Sequence, residues 1–299
     1  MESSAVRNRL LLAAAALLFS TGGAAIKAAT LTAWQVASFR SGVAAVFLLV
    51  ALPEARRGWS WRIVPPAFAY AATLVLFVLA NRLTTSANAI FLQSTAPLYL
   101  LLLGPWLLRE PVRRSDWLCI LAVAAGMVLI VSGGESAAAT APDPRRGNLL
   151  AVSAGLTWAL TITGLRWLGR AAPENAKGGA AMATVAAGNI LGCLIALPMA
   201  MPVATPSAAN AAVILYLGVV QIGLAYVCMT RAIRHVPALE ATTVLLLEPA
   251  MNPVWAWLVQ RERPGSSALA GGAIILAATL ANTWRQARVA APLKSLQSD

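Results

Sequence analysis

Charged residues are scarce in this chain. They make up 11% of its 299 residues, whereas hydrophobic residues make up 59%. A soluble globular domain carries about 25% charged residues, because water-compatible side chains have to cover its surface. The low charge therefore argues against a soluble enzyme and favours a membrane protein.

Histidine and cysteine are also scarce. The single histidine, His235, excludes an HExxH zinc motif. Cys119, Cys193 and Cys228 lie in apolar runs without CxxC spacing, and we interpret them as small apolar residues. The sequence contains neither a P-loop nor a GxGxxG motif. We therefore expect no catalytic residue, no metal site and no cofactor, and we do not expect an enzyme.

Acidic residues are half as frequent as basic ones. The 23 Lys and Arg residues and 11 Asp and Glu residues give a formal net charge of +12. Nucleic-acid binding requires basic residues gathered on one face or in one tail. Here they stand in groups of two or three between long apolar runs. This placement is typical of orientation in a membrane, and we expect no nucleic-acid partner.

Long apolar runs fill most of the sequence. A helix needs about 20 apolar residues to cross a bilayer core of ~30 Å. Lipid offers no hydrogen-bond partner to the backbone, so each run should be α-helical. We interpret the first run as a retained helix and not as a cleaved signal peptide. The ten predicted spans are 10–28, 33–52, 63–80, 86–108, 117–134, 147–168, 178–200, 208–230, 237–260 and 266–284.

The Lys and Arg residues between the spans predict the orientation, because cytoplasmic connections carry the excess of positive charge. With the N-terminus in the cytoplasm, sixteen of the 23 fall on the cytoplasmic side, six fall outside, and Arg40 lies within a span. Both termini are therefore predicted to be cytoplasmic. Tryptophan favours the membrane interfaces. Nine of the ten tryptophans lie near span ends, and Trp158 alone lies in mid-span.

A pattern of proline followed by glutamate thirteen residues later occurs twice. Pro97 precedes Glu110, and Pro249 precedes Glu262 at the same offset of 152 residues. Arg109 and Arg261 stand directly before the two glutamates. We interpret these Arg-Glu pairs at the span ends as loop anchors.

The offset pairs the first five spans with the last five. Because five is odd, the second half would enter the membrane from the opposite side. The sequence thus predicts a single integrated domain, 1–299, containing a first five-helix repeat, 10–134, and an inverted second repeat, 147–285. Inverted repeats commonly build secondary transporters with a substrate site near the midplane. A duplicated membrane scaffold without transport is the alternative.

These residues resemble the EamA-type branch of the drug/metabolite transporter superfamily. The segment Leu246-Leu247-Glu248-Pro249 is similar to the second copy of the family pattern, and Arg40 also resembles a family position. The whole chain further resembles the YddG-type bacterial exporters of aromatic amino acids. The resemblance implies an all-α protein with ten transmembrane helices around a central cavity. It also implies alternating access across the bacterial inner membrane.

Arg40 and Glu248 are ionisable residues within predicted spans. Such groups are costly in a membrane and normally face a partner or a wet cavity. One reading is that they bind the two charged ends of a zwitterion, or that Glu248 carries a proton. The other is an internal ion pair that braces the halves. Trp158 in mid-span is a candidate for stacking on an aromatic substrate, with helix packing as the alternative.

Further polar or amphipathic residues within spans are candidates either for lining a cavity or for hydrogen bonds between helices. Pro97 and Pro249 are predicted kinks, serving either gating or a static bend. Gly22-Gly23 and Gly178-Gly179 are expected to allow close helix packing. The further candidates for substrate binding are Gln93, Tyr99, Asn189, Tyr226 and Asn252.

The predicted function is a secondary transporter that exports small amphipathic metabolites, with aromatic amino acids preferred, from a bacterial cell. The expected partners are a small-molecule substrate and membrane lipid, and a monomer is plausible. Facilitated diffusion and proton antiport, with protons as the coupling ion, are both open. The alternatives are an exporter of cationic drugs or other metabolites of the same superfamily, or a non-transporting membrane scaffold.

Overall fold

The computed structural model describes residues 2–107, 116–134, 136–171, 177–203, 207–233 and 235–295. The first Arg-Glu pair, Arg109-Glu110, lies outside these residues. Within them the chain is helical and contains no strand, apart from an isolated bridge between Ala138 and Ala141. The all-α class predicted from the apolar runs is therefore the class observed.

The helices are numbered in chain order over the described residues. A π-helical stretch, Tyr216–Leu224, joins the tenth helix to the eleventh. The helices are α1 (Glu2–Ser20), α2 (Gly22–Ala28), α3 (Ala33–Ala51), α4 (Val64–Leu83), α5 (Ser86–Gln93), α6 (Ala96–Leu107), α7 (Asp116–Ser132), α8 (Pro144–Ala171), α9 (Lys177–Ala200), α10 (Ala208–Leu215), α11 (Ala225–Ala232), α12 (Ala238–Leu245), α13 (Leu247–Gln260) and α14 (Ser266–Ser295).

Eight helical segments of the described chain are long and apolar enough to cross a membrane. The predicted fifth span corresponds to α7, which is apolar but shorter, and the predicted ninth span consists of α12 and α13. The total of ten spans therefore stays a prediction. The eight segments are Val6–Ala28, Ala33–Ala51, Trp61–Leu83, Ser86–Leu107, Pro144–Arg170, Gly178–Ala200, Ala208–Ala232 and Ser266–Arg285.

The two prolines that were predicted as kinks follow helix breaks. The fourth predicted span divides into α5 and α6, and Pro97 lies in the first turn of α6. The ninth divides at Leu246, and Pro249 lies in the first turn of α13. Proline is tolerated there, because the first-turn N–H groups have no partner within the helix. The breaks recur at the offset of the sequence repeat, since α5 and α12 each have eight residues and start 152 positions apart.

Helices α1–α7 and α8–α14 interleave. In the first set, α4 and α5 pack against α8, and correspondingly α11 and α12 pack against α1. In addition, α3 packs against α9, and α7 packs against α14. The same packing pairs are thus obtained when the two halves are exchanged. Small residues allow segments of the two halves to approach closely. A Cβ atom on Gly218 of the π-helical stretch would lie only 2.5 Å from Val43 Cγ1 of α3.

A buried ion pair connects the two halves at one end of the bundle. Lys27 Nζ lies 2.5 Å from Glu262 Oε2, and both side chains are almost fully buried. Lys27 also donates to the carbonyl oxygens of Thr84 and Thr140. The other oxygen of Glu262 accepts the backbone N–H of Ser86. Glu262 therefore ties the chain after α13 to α2 and to the start of α5.

Candidate functional site

A cavity of about 330 Å³ lies between the two halves. We call it the central cavity. Its walls come from helices α1, α3, α4, α5, α6, α8, α11, α12 and α13 and from the π-helical stretch. The residues singled out from the sequence that line it are Arg40, Gln93, Pro97, Trp158, Tyr226, Glu248 and Pro249.

Arg40 supplies a positive charge to the wall of the central cavity. It lies on α3, which begins at the capping box of Thr32 and Gln35. Its Nη2 donates to the Leu74 carbonyl oxygen at 3.0 Å, while Nε is buried without a hydrogen-bond partner. No carboxylate among the described residues forms an ion pair with Arg40. A buried guanidinium with one carbonyl partner retains donors for an anionic group.

Glu248 supplies a negative charge to the same cavity. It lies in the first turn of α13, where the positive end of the helix dipole favours a carboxylate. In the described part of the chain, no hydrogen bond or ion pair engages this carboxylate. The internal ion pair between Arg40 and Glu248 that the sequence left open is thus not formed among the described residues. The cavity exposes opposite charges that are contributed by the two halves.

Four aromatic rings form a contiguous cluster at the central cavity. The Tyr70 and Trp158 ring centroids are 6.2 Å apart, with a tilt of 48°. Tyr226 stands edge to face with Tyr70 at 6.4 Å and with Phe19 at 5.2 Å. Each of the four rings comes from a different helix, and all four line the cavity. Edges and faces of this kind favour an aromatic ligand.

Three of the predicted substrate-binding residues lie elsewhere in the structure. Tyr99 points to α7, where its hydroxyl lies 4.0 Å from Met127 Sδ. Asn189 is fully buried and donates to the Val185 carbonyl oxygen one turn earlier on α9. Asn252 is buried in the interface with α2 and does not line the central cavity. Tyr99 and Asn252 thus face the neighbouring helices α7 and α2, whereas the Asn189 side chain bonds within its own helix.

Sequence reasoning missed several lining residues. Tyr70 stands in mid-span and is amphipathic, which is the same signal that singled out Tyr226. Gln221 is a polar residue in the middle of the eighth predicted span, and its Nε2 donates to the Phe19 carbonyl oxygen at 3.2 Å. It lies in the π-helical stretch, a local distortion that occurs frequently at functional sites. Phe19 and Thr73 offered no signal beyond their depth.

No group of three His, Cys, Asp or Glu residues within the described ranges has the geometry to hold a metal ion. Among the described residues that line the central cavity, the charged groups are one arginine and one glutamate, which come from α3 and α13. Their chemistry is that of binding a polar solute through ionic hydrogen bonds, with apolar surface beside it.

This chain is similar to a curated protein and to a solved structure. A curated relative described as "Uncharacterized transporter", from Methanothermobacter thermautotrophicus, is 24% identical over 195 residues. That match covers 63% of this chain and 54% of the relative, so it spans about half the relative's length. A solved structure described as "Crystal structure of protein" has a TM-score of 0.60 at 20% identity, covering 96% of this chain and 99% of that chain. At this identity it shows a shared fold alone.

The family comparison covers most of the sequence. The model of the EamA-like transporter family matches residues 8–132 and again residues 145–284. Together with the apolar helices, this match makes the chain a multi-pass membrane protein. The chain belongs to the EamA-like transporter family.

Proposed function

We propose that this protein is a secondary transporter that exports small amphipathic metabolites, and that aromatic amino acids are its preferred substrates. The observation that carries the proposal is the composition of the central cavity. Arg40 and Glu248 bring unpaired opposite charges to one space, and the rings of Tyr70, Trp158 and Tyr226 adjoin them. An aromatic amino acid needs an anion site, a cation site and an apolar surface together.

In the proposed complex each end of the substrate has its own partner. The Arg40 guanidinium binds the carboxylate through charge-assisted hydrogen bonds, and Glu248 binds the ammonium group. The aromatic side chain stacks against Trp158 and Tyr70. Gln93, whose side chain forms no hydrogen bond within the described part of the chain, orients the polar end.

The size of the central cavity favours a small solute. Ligand cavities span roughly 300–1,000 Å³, and this one, at about 330 Å³, lies near the lower limit. A large cationic drug would need more room and would also face the positive charge of Arg40. These two features favour an amino acid over the superfamily's cationic substrates, which are the second candidate.

Transport is proposed to occur by alternating access between two inverted repeats. The repeat is supported by the Pro and Glu pattern, by the recurrent helix breaks and by a family model that matches twice. The helix packing pairs also persist when the halves are exchanged. Cytoplasmic termini and a location in a bacterial inner membrane, as a monomer, complete the proposal. In such folds the two repeats rock around a central site.

Transport by the purified full chain in proteoliposomes tests the proposal. The vesicles are loaded with labelled tryptophan, phenylalanine and leucine, with and without a pH gradient. We expect saturable movement of the aromatic amino acids. A pH-gradient dependence that disappears in Glu248→Gln would establish proton antiport, whereas gradient-independent movement would establish facilitated diffusion.

The substitution Trp158→Ala tests the cavity assignment in the same vesicles. A lost aromatic contact is worth about 0.5–1.5 kcal/mol, which corresponds to about a two- to tenfold rise in KM for tryptophan relative to leucine. Trp106→Ala is the control, because Trp106 is 87% exposed at the end of α6. Vesicles that move cationic drugs but no amino acid would overturn the proposed substrate class. Vesicles that move neither would favour the scaffold alternative.

A further inference from the structure

A second cavity, of about 220 Å³, adjoins the central cavity. Tyr70, Trp158, Tyr226 and Met229 line both spaces, so the three aromatic rings, together with Met229, form the partition between them. The rest of the wall of the second cavity comes from α8, α9 and α11 and from Ile233, which follows α11. Met182 and Val185 of α9 line the second cavity but not the central cavity. None of the residues singled out from the sequence for substrate binding explains this space, apart from those in the shared partition.

The wall of the second cavity is chemically different from that of the central cavity. Among its described lining residues there is no Asp, Glu, Lys, Arg or His. Its two threonine hydroxyls are already engaged, since Thr161 donates to the Thr157 carbonyl oxygen and Thr230 to the Tyr226 carbonyl oxygen. Placing an ammonium or carboxylate group there would remove it from water with no opposite charge to compensate. The space therefore excludes the charged end of a zwitterion.

We propose that the second cavity is a separate binding site for an uncharged aromatic molecule of about the size of indole. A dry apolar cavity of about 150 Å³ is sufficient to bind benzene, so the observed volume accommodates a fused two-ring compound. Trp158 and Tyr70 present ring surface to such a ligand. The sulfur atoms of Met182 and Met229 provide polarizable contacts on the wall.

The ligand would occupy one side of the aromatic partition while the central cavity lies on the other. Met182 and Val185 therefore distinguish the two sites, because neither lines the central cavity. This inference concerns binding and does not depend on the proposed amino-acid transport.

Equilibrium dialysis of labelled indole against the purified full chain in detergent tests the site. Excess unlabelled indole separates saturable binding from partition into the micelles. Val185→Phe adds four carbon atoms to the second cavity, and we expect it to weaken saturable binding at least tenfold. The control is Leu194→Phe, the same type of enlargement on the same helix at a position that is 55% exposed.

A second variant separates filling of the cavity from misfolding. Met182→Ala enlarges the cavity, so the affinity for the bulkier 2-naphthol should rise at least threefold relative to that for indole. All variants are compared by size-exclusion elution. Absence of saturable indole binding by the unmodified chain would overturn the proposal. So would equal affinities in the Val185→Phe and Leu194→Phe variants, or a ligand preference that Met182→Ala leaves unchanged. Amino-acid transport in proteoliposomes is read separately and would stand in any of these cases.

Discussion

Lys27 and Glu262 form an ion pair across the two halves, with Nζ and Oε2 2.5 Å apart and the two side chains 4% and 3% exposed. Their positions are 235 residues apart in the sequence. Removing one member of a buried pair leaves an uncompensated charge and costs about 3–5 kcal/mol, whereas neutralising both costs much less. The pair is therefore a strong constraint on how the two halves meet at this end of the bundle.

We expect Lys27→Met and Glu262→Gln each to lower the Tm of the purified protein substantially. The double variant should lower the Tm by less than the sum of the two single shifts. Thermal unfolding followed by tryptophan fluorescence measures the three shifts. The exposed pair Arg9–Glu240 is the matched control, because such pairs contribute about 0–1 kcal/mol. Equal shifts for Glu262→Gln and Glu240→Gln would contradict the role given to the buried pair.

The two charges at the central cavity can be separated with ligands that carry only one of them. Tryptamine has an ammonium group but no carboxylate, and indole-3-propionate has a carboxylate but no ammonium group. If Arg40 binds the carboxylate, Arg40→Gln should weaken the binding of tryptophan and of indole-3-propionate and leave the binding of tryptamine unchanged. Glu248→Gln should weaken the binding of tryptophan and of tryptamine and leave the binding of indole-3-propionate unchanged.

The expected loss in each affected combination is about ten- to hundredfold, because a hydrogen bond to a charged group contributes about 1.5–3 kcal/mol. Competition against labelled tryptophan uptake measures it. A variant that weakens all three ligands alike would assign a structural role to that residue. For Arg40 that result would point to its bond with the Leu74 carbonyl oxygen.

Much of the central cavity could be predicted because charge is so rare in this chain. Arg40, Glu248 and Trp158 were identified by type and depth alone, and all three line the cavity. Depth does not determine the direction in which a helix faces. With apolar residues on every side of each span, no polar stripe indicates rotation, and so Tyr99 and Asn252 could not be distinguished from lining residues.

Contacts between distant segments were beyond sequence reasoning for a different reason. The pair of Lys27 and Glu262 depends on how the halves pack, and no local pattern encodes that geometry.

The helix breaks were predicted only approximately. A proline indicates a disturbed helix, but whether the helix kinks or ends and starts again depends on neighbouring side chains. At the first break the Thr95 hydroxyl donates to the Leu92 carbonyl oxygen at the end of α5.

Gly155 on α8 packs directly against the break between α5 and α6. A Cβ atom there would lie 2.9 Å from the Leu92 carbonyl oxygen and 3.0 Å from Thr95 Oγ1. We expect Gly155→Ala to destabilise the protein by about 1–3 kcal/mol, as overpacking of a tight interface does. Gly169→Ala on the same helix is the control, because nothing lies within 4 Å of its added Cβ atom.

The control should be neutral or stabilising by up to about 1 kcal/mol, since alanine is the better helix former. The difference between the two variants is read from their Tm values. If both glycines tolerate alanine equally, the close contact of α8 with the break is not present in the folded protein.

The inverted arrangement predicts that equivalent connections of the two repeats face opposite sides of the membrane. Ser60 lies between the second and third spans of the first half, and Ser207 lies in the equivalent connection of the second half. Both are exposed. In a chain whose three cysteines are replaced by alanine, Ser60→Cys should react with an impermeant maleimide only in inside-out vesicles. Ser207→Cys should react only in right-side-out vesicles.

The positive charge around Ser60 predicts that this connection faces the cytoplasm. Arg56, Arg57 and Arg62 flank Ser60, and cytoplasmic connections carry such excess positive charge. Labelling of both cysteines from the same side would exclude inverted repeats, because an odd number of spans has to separate equivalent positions. If Ser60→Cys reacted only in right-side-out vesicles and Ser207→Cys only in inside-out vesicles, the repeats would still be inverted, but both termini would lie outside. Because the two variants are labelled in vesicles prepared in the same way, each serves as the sidedness control for the other.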